Sequence, residues 1–390
     1  MFLGALGIIN SLGADKESIR TSLLRGDRTG IRARSYRAGE FHVATVTPSP
    51  PSRDIPRPYA NRVNSLLAAA CDQIISEVEE TAARYGRDRV AVLIGSTDNG
   101  SEETTAALAY RRREGRFADG YSLQQMQPNL PAQFVADYLG LANVAVSAST
   151  ACASSASAIV AARNLIELGV CSAAVVGGAD IVSESVLLGF LALEAVDRGR
   201  CNPFSINRRG INLGEGAALF ILAPEPLGGA SIRLLGAAET SDAWHMTAPL
   251  PEGEGASHSM RAALSEAGIG PEDVDYLNLH GTGTLLNDSM ESKAVHAVFA
   301  ERVPCSSTKS LVGHTLGAAG AMELGFCWLL LSQVDGESTL PPHVWDGMRD
   351  PSLPRLNLVS PSFPVARLRT CLSNSFAFGG CNVSLLIGRS

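Results

Sequence analysis

Residues Leu277–Val295 read LNLHGTGTLLNDSMESKAV, and the succession of residue types in them sets the class of fold. An apolar strand, Tyr276 to Leu279, ends at His280, Gly-Thr-Gly-Thr makes a loop, and a helical stretch from Asn287 to Phe299 carries Glu291. A strand passing through a glycine loop into a helix is one step of an α/β layered architecture. At the carboxyl end of such a strand a side chain faces the crevice where open α/β sheets bind ligands, so His280 is a candidate site residue. Thr282 and Thr284 add hydroxyls for a polar ligand. No Gly-Lys-Ser/Thr follows, so the loop is a weak phosphate cradle. The plain alternative for one such histidine is a core residue with satisfied hydrogen bonds.

The same alternation extends in both directions. Strands are expected at Phe2–Ile8, Val90–Ile94, Ala173–Val176, Ala217–Leu222, Ser231–Ala237 and Val383–Ile387, and helices at Tyr59–Tyr85, Leu130–Leu139, Ser154–Leu168, Ser257–Ala267 and Gly317–Ser332. The sequence APEPLGG breaks both periodicities around Pro224–Gly229, dividing the chain into halves 1–226 and 227–390. TPSPPSRDIPRP, Thr47–Pro58, reads as an irregular surface loop. No short-period repeat of the solenoid kind is present.

With 45% apolar and 18% charged residues, the 390-residue chain can bury a large core. A net charge of -7 argues against a protein that coats nucleic acid. No stretch is apolar for long enough to span a membrane, and the apolar N-terminus MFLGALGIINSLG lacks a basic leader and a cleavage pattern, so it is read as a buried first strand. Eight cysteines are scattered without metal-ligand spacing, which favours a reducing cytoplasm over a disulfide framework. Among 29 arginines there are only three lysines, so a lysine inside a motif stands out, and Lys309 is one.

Three further stretches carry reactive types. In SASTACASSASAIVAARNLIELG, Ser147–Gly169, small residues surround Cys152 just before a helix. The positive end of a helix and its unpaired N–H groups favour a thiolate and can hold an oxyanion. A buried packing cysteine is the bland alternative. STKSLVGHTLGAAGAMELG, Ser307–Gly325, sets Lys309 and His314 in a turn and Glu323 on a Gly/Ala-rich helix, which could equally be tight packing beside a solvated lysine. SNSFAFGGCN, Ser373–Asn382, is an apolar-glycine loop in which Phe378 could gate, though such turns are common. One cysteine, two histidines and a lysine suit a thioester enzyme: the thiolate accepts an acyl group, and two imidazole N–H groups polarise a second thioester so that loss of carbon dioxide leaves a stabilised enolate.

TACASS, CNPFSINRRGINLGEGAA, HGTGTLLND, KSLVGHTLGAAGAME and NSFAFGG occur in this order over essentially the whole chain, which thereby resembles the β-ketoacyl-ACP synthases, the elongating condensing enzymes of type II fatty acid and polyketide synthesis. The resemblance implies an α/β thiolase fold, five-layered α-β-α-β-α and built from two similar halves. It implies that Cys152 is the nucleophile, that His280 and His314 support decarboxylation, and that Lys309 orients and tunes the second of them. Glu291 and Glu323 match supporting acidic positions, the N–H groups of Cys152 and Phe378 an oxyanion hole, and Thr282 and Thr284 contacts to the phosphopantetheine arm. Phe190, Phe376, Ala377 and Gly379 match substrate-binding positions. No metal or organic cofactor is implied, since substrates ride on the phosphopantetheine of an acyl carrier protein. A homodimer is usual, and a heterodimer with a related subunit is open.

Three positions depart from the family pattern: Ser205 stands where Asp is usual, Ala377 where the gating loop has Gly, and Glu194 near an often basic carrier-docking position. An added Cβ at Ala377 implies a less mobile loop or a negative φ. Arg57, Arg62, Arg111, Arg112, Arg113, Arg116 and Arg198 are candidates for docking an acidic carrier, each otherwise a solvated residue. A cysteine hydrolase would leave His314 and Lys309 unexplained. Initiating synthases use Asn where this chain has His314, and catalytically silent chain-length partners typically lack the nucleophile that Cys152 supplies.

Overall fold

A computed structural model describes residues 1–47, 55–98, 100–226, 232–333, 338–361, 363–365 and 368–389. Most of the loop expected at Thr47–Pro58, and part of the break at Pro224–Gly229, lie outside the described residues.

Eleven strands form one hydrogen-bonded sheet in which a five-strand order occurs twice. In the first half the spatial order is Ala145–Ala148, Val90–Gly95, Ala173–Asp180, Gly216–Ala223, Phe2–Asn10; in the second it is Pro304–Ser306, Tyr276–Asn278, Thr370–Phe376, Cys381–Arg389, Ile232–Ser241. The pairings agree too: parallel, parallel, antiparallel, antiparallel in each half. Asn357–Leu358 adds an edge strand to the second set. The two sets join where Phe2 and Leu3 pair with Arg233 and Ile232.

Helices Ser154–Glu167 and Ala319–Leu331 touch strands of both halves and each other, forming the central of five layers. Every residue of AGAMELGFCWLLL is buried, the mark of a helix enclosed on all sides. Their close approach needs small residues. A Cβ at Gly320 would sit 2.7 Å from that of Ala156, and one at Gly95 2.2 Å from the Ser155 nitrogen. Outer helices Arg62–Asp72 and Leu130–Leu139 cover the first half-sheet, and Glu254–Ala267 with Leu285–Phe299 the second, each over its own apolar cluster.

The expected strands all form, with ends moved by a few residues, and Thr370–Phe376, Ala145–Ala148 and the hairpin Ile31–Tyr36/Gly39–Ala44 add to them. The single helix expected over Tyr59–Tyr85 is two, Arg62–Asp72 and Ile75–Tyr85. Between them the Gln73 amide accepts from Ile8 N and donates to Ile8 O, at 3.2 and 2.9 Å. Satisfying strand groups with a side chain ends the helix there. All eight cysteines are free thiols, seven of them buried.

Candidate active site

Both central helices begin in the same unusual way. Ala151 (φ 48°) opens the short 3-10 turn Ala151–Ala153, and Leu316 (φ 54°) opens Leu316–Ala318. Left-handed backbone in residues with a Cβ costs energy and collects at functional sites. The first turn carries Cys152; His314 lies two residues before the second left-handed residue. His280 follows strand Tyr276–Asn278, and Lys309 opens the one-turn helix Lys309–Val312.

These side chains converge. Cys152 Sγ and one ring nitrogen of each of His280 and His314 lie within 4.8 Å of one another. The imidazoles meet edge to face, centroids 5.4 Å apart. His314 Nδ1 accepts the Leu316 N–H at 3.1 Å, and Lys309 Nζ stands 3.3 Å from His280 Nδ1. With Nδ1 an acceptor in both rings, a neutral imidazole carries its proton on Nε2. Burial, then Lys309, holds both histidines well below the usual histidine range, with each other's proximity adding at His280. At neutral pH the pair therefore presents two N–H donors.

Two expectations are corrected. Lys309 hydrogen-bonds the ring of His280 where His314 was expected, although its charge acts on both rings, and its other partner is the Glu323 carboxylate, with both groups buried. The Cys152 thiol is pushed up to about 12 by burial, opposed by Lys309, where the helix start alone predicts a lowered value. Desolvation of the small-residue pocket outweighs the field of the helix end. Burial thus works against a resting thiolate.

Glu291 is buried behind the site, accepting the N–H groups of His280 and Gly281 at 2.7 and 2.6 Å and so fixing the strand-to-loop turn. A cavity of about 430 Å³ opens onto Cys152, His280 and His314; Thr282, Thr284, Phe190, Phe376, Ala377 and Phe378 line it, whereas Gly379 does not. Phe378 stacks near Phe190 at 5.9 Å and is 36% exposed. Ala377 is not among the residues of positive φ, which in this loop are Gly379 (φ 86°) and Gly380 (φ 80°). Of the two outcomes expected for the extra Cβ, a less mobile loop or a negative φ, the backbone shows the second.

Ser205 bonds Asp346 Oδ1 at 2.8 Å, and Arg208 pairs with Asp350 at 2.6 Å, so carboxylates from residues 346–350 serve the segment that lacks its usual Asp. Of the arginines expected at the mouth, Arg62 is tied to buried Glu215 at 2.5 Å and Arg198 lies over the Phe41 ring. Exposed Arg209 lines the cavity instead, as do Asp242 and Thr247. None of these three was singled out from the sequence. SDAWHMTAP, following strand Ile232–Ser241, is the signal: it too sits at a strand's carboxyl end.

Among the described residues the Cys152/His280/His314 trio is the group with metal-ligand spacing. The Lys309 ammonium beside His280 opposes a cation there. The arrangement fits acyl transfer and enolate stabilisation.

Comparison with known proteins agrees with that chemistry. The family described as beta-ketoacyl synthase, N-terminal domain, matches residues 14–226, and its C-terminal domain residues 232–344. A 3-oxoacyl-[acyl-carrier-protein] synthase 2 of Staphylococcus aureus is 32% identical over 84% of this chain and 83% of its own, and one of Mycobacterium bovis 34% identical over 77% and 75%. A chain of the Xenorhabdus doucetiae ketosynthase (ApeO) in complex with its chain length factor (ApeC) superposes with a TM-score of 0.93 at 41% identity, covering 100% of this chain and 98% of that one. A beta-ketoacyl synthase from Burkholderia phymatum gives 0.85 at 27%, covering 100% and 99%.

Proposed function

Since the chain belongs to the β-ketoacyl synthase family and is a 3-oxoacyl-ACP synthase, a condensing acyltransferase, we propose that Cys152, His280, His314 and Lys309 divide its reaction as follows. Cys152 Sγ attacks the thioester of an acyl carrier; the acyl group passes to sulfur, and the thiol proton leaves with the phosphopantetheine thiol. A malonyl carrier then enters, its thioester carbonyl accepting from the Nε2–H groups of His280 and His314. Its free carboxylate leaves as carbon dioxide, and the enolate attacks the acyl group on Cys152. The product is two carbons longer, and the Cys152 thiolate released takes up one proton. Thr282 and Thr284 meet the pantetheine arm, and the N–H groups of Cys152 and Phe378 hold the tetrahedral oxyanion. Proton and charge traffic is carried by the protein, with no metal or organic cofactor. The observation that carries this reading is the convergence of two buried imidazoles on one buried thiol.

We further infer that the chain works in a specialised polyketide pathway as the active member of a pair with a related subunit, in the cytoplasm. Identity is higher to a chain of a ketosynthase–chain length factor complex than to the synthases 2. Edge strand Ala145–Ala148 leaves Val144 and Val146 over 40% exposed, an open edge for a second subunit. The intact Cys152/His280/His314 set favours the catalytic over the silent role. No helix among the described residues is long and apolar enough to cross a membrane.

Intact-protein mass tests this directly. Wild type and Cys152→Ser are mixed with acyl carrier thioesters of varied length and unsaturation, then with malonyl carrier. Acylation of wild type alone, discharged as a product two carbons longer, supports the assignment, and the best donor identifies the pathway. Absence of an acyl mass with every donor, with and without a co-expressed related subunit, overturns it.

A further inference from the structure

Among the fully buried carboxylates that the reaction above does not use, Asp180 reaches across to the other half of the chain. Asp180 ends strand Ala173–Asp180 in the first half, 0% exposed, with donors converging on both its oxygens. Oδ1 accepts from Ser96 Oγ at 2.9 Å and Asp98 N at 2.9 Å, Oδ2 from Thr97 Oγ1 at 2.7 Å, and Thr97 N reaches both at 3.0 Å. The remaining donor comes from the other half of the chain: Gly317 N, 2.6 Å from Oδ2. A Cβ on Gly317 would lie 2.7 Å from that same oxygen, so glycine is needed there for the carboxylate to approach.

Gly317 directly follows Leu316, whose φ of 54° is costly for a side chain of its size and whose N–H is the donor to His314 Nδ1. The His314 backbone is pinned separately, its N donating to Asn212 O at 2.7 Å and its O accepting from Gly214 N at 2.9 Å. What orients the ring and selects its tautomer is the Leu316 N–H, and Leu316 is held in its left-handed turn from the C-terminal side by the Asp180–Gly317 bond together with the Ala319 N–H that donates to Leu316 O.

We propose that Asp180 is a positioning residue for His314: by anchoring Gly317 it locks the left-handed Leu316 turn that keeps the His314 proton on Nε2, where the second substrate needs a donor. Asp180 touches no substrate in this role, and the role depends on the part given to His314 in the reaction proposed above. Its loss acts on the decarboxylating half-reaction and spares acylation of Cys152, which makes no call on the His314 tautomer.

The test pairs kinetics with a tautomer measurement on the full-length enzyme. With hexanoyl-loaded and malonyl-loaded acyl carrier protein as probes, Asp180→Asn is expected to acylate Cys152 within about twofold of wild type and to decarboxylate malonyl carrier about 10²-fold more slowly, the size of losing one preorganised donor. In 15N-histidine spectra, with the His314 resonance assigned by its disappearance in His314→Ala, the wild-type Nδ1 signal is that of an unprotonated acceptor nitrogen. In Asp180→Asn it shifts toward tautomer averaging. Gly317→Ala attacks the same hydrogen bond from its other end and should reproduce both changes. Equal loss of the two half-reactions, an unmoved Nδ1 signal, or failure of both variants to fold makes Asp180 purely structural and overturns the proposal. Should wild type decarboxylate nothing, the reaction assigned above fails, and the spectra still decide the link from Asp180 to His314.

Discussion

Lys309 Nζ lies 3.3 Å from Nδ1 of His280, and both groups are buried. An ammonium donating to Nδ1 commits the neutral ring to a proton on Nε2 and, by charge, resists a second proton. The lysine thereby keeps His280 a donor throughout the cycle.

Replacing Cys152 by Ala is expected to abolish acyl-enzyme formation and reduce condensation by at least about 10³-fold, the scale of losing a covalent nucleophile. Carbon dioxide release from malonyl carrier should persist, because its donors are elsewhere. Loss of both activities in a folded variant contradicts this division of labour.

His280→Ala and His314→Ala should each slow malonyl decarboxylation by about 10²–10³-fold, as for the loss of one oxyanion donor. The double variant should fall well short of the product of the two, since the pair acts on one oxygen. Carbon dioxide release with malonyl carrier alone measures this.

The Lys309–Glu323 pair is fully enclosed. Lys309→Met leaves a buried carboxylate unpaired and should cost about 3–5 kcal/mol of stability. Adding Glu323→Gln should restore most of the urea midpoint without restoring activity, since the donor to His280 Nδ1 is still missing. Recovery of both together counts against a role for Lys309 beyond charge balance.

Stability should also fall as pH rises from about 6.5 to about 8. Burial raises Glu291 to about 8 and Asp180 to about 7, so over this window the native state holds protons that the unfolded chain has released. Below about 6.5 the depressed histidines His280, His314 and His343 work in the opposite sense, because the unfolded chain binds protons that the native state refuses. Urea midpoints against pH should therefore change little at mild acidity and then decline, with Glu291→Gln flattening the decline. A midpoint rising through pH 7–8 contradicts this assignment.

Much of this was legible in the sequence because the chemistry lies in contiguous words. Cys152, His280, Lys309 and His314 each sit at or next to the end of an element, marked by glycines and small residues. What could not be read were pairings between distant residues. The family resemblance ties Lys309 to His314, yet its one-turn helix aims it at His280 and Glu323. Asp180 lies beyond the strand expected at Ala173–Val176 and carries no signal until Gly317, 137 positions away, is seen to donate to it. The break at Gln73 likewise depends on Ile8, a strand residue 65 positions earlier. The cysteine was misjudged for a related reason: local sequence exposes the helix end but not the depth of burial around it.

The repeated strand order has a consequence for how the chemistry is shared. The turns that begin helices Ser154–Glu167 and Ala319–Leu331 occupy corresponding places in the two halves, left-handed Ala151 answering to Leu316, and the next residue is Cys152 in one and Gly317 in the other. One scaffold position has thus been spent twice: once to expose a sulfur, once to give up its side chain so that a carboxylate can grip the backbone. The nucleophile comes from one copy and both imidazoles from the other, so neither half holds a complete set. Catalysis is a property of the two halves together, assembled where their two equivalent turns meet.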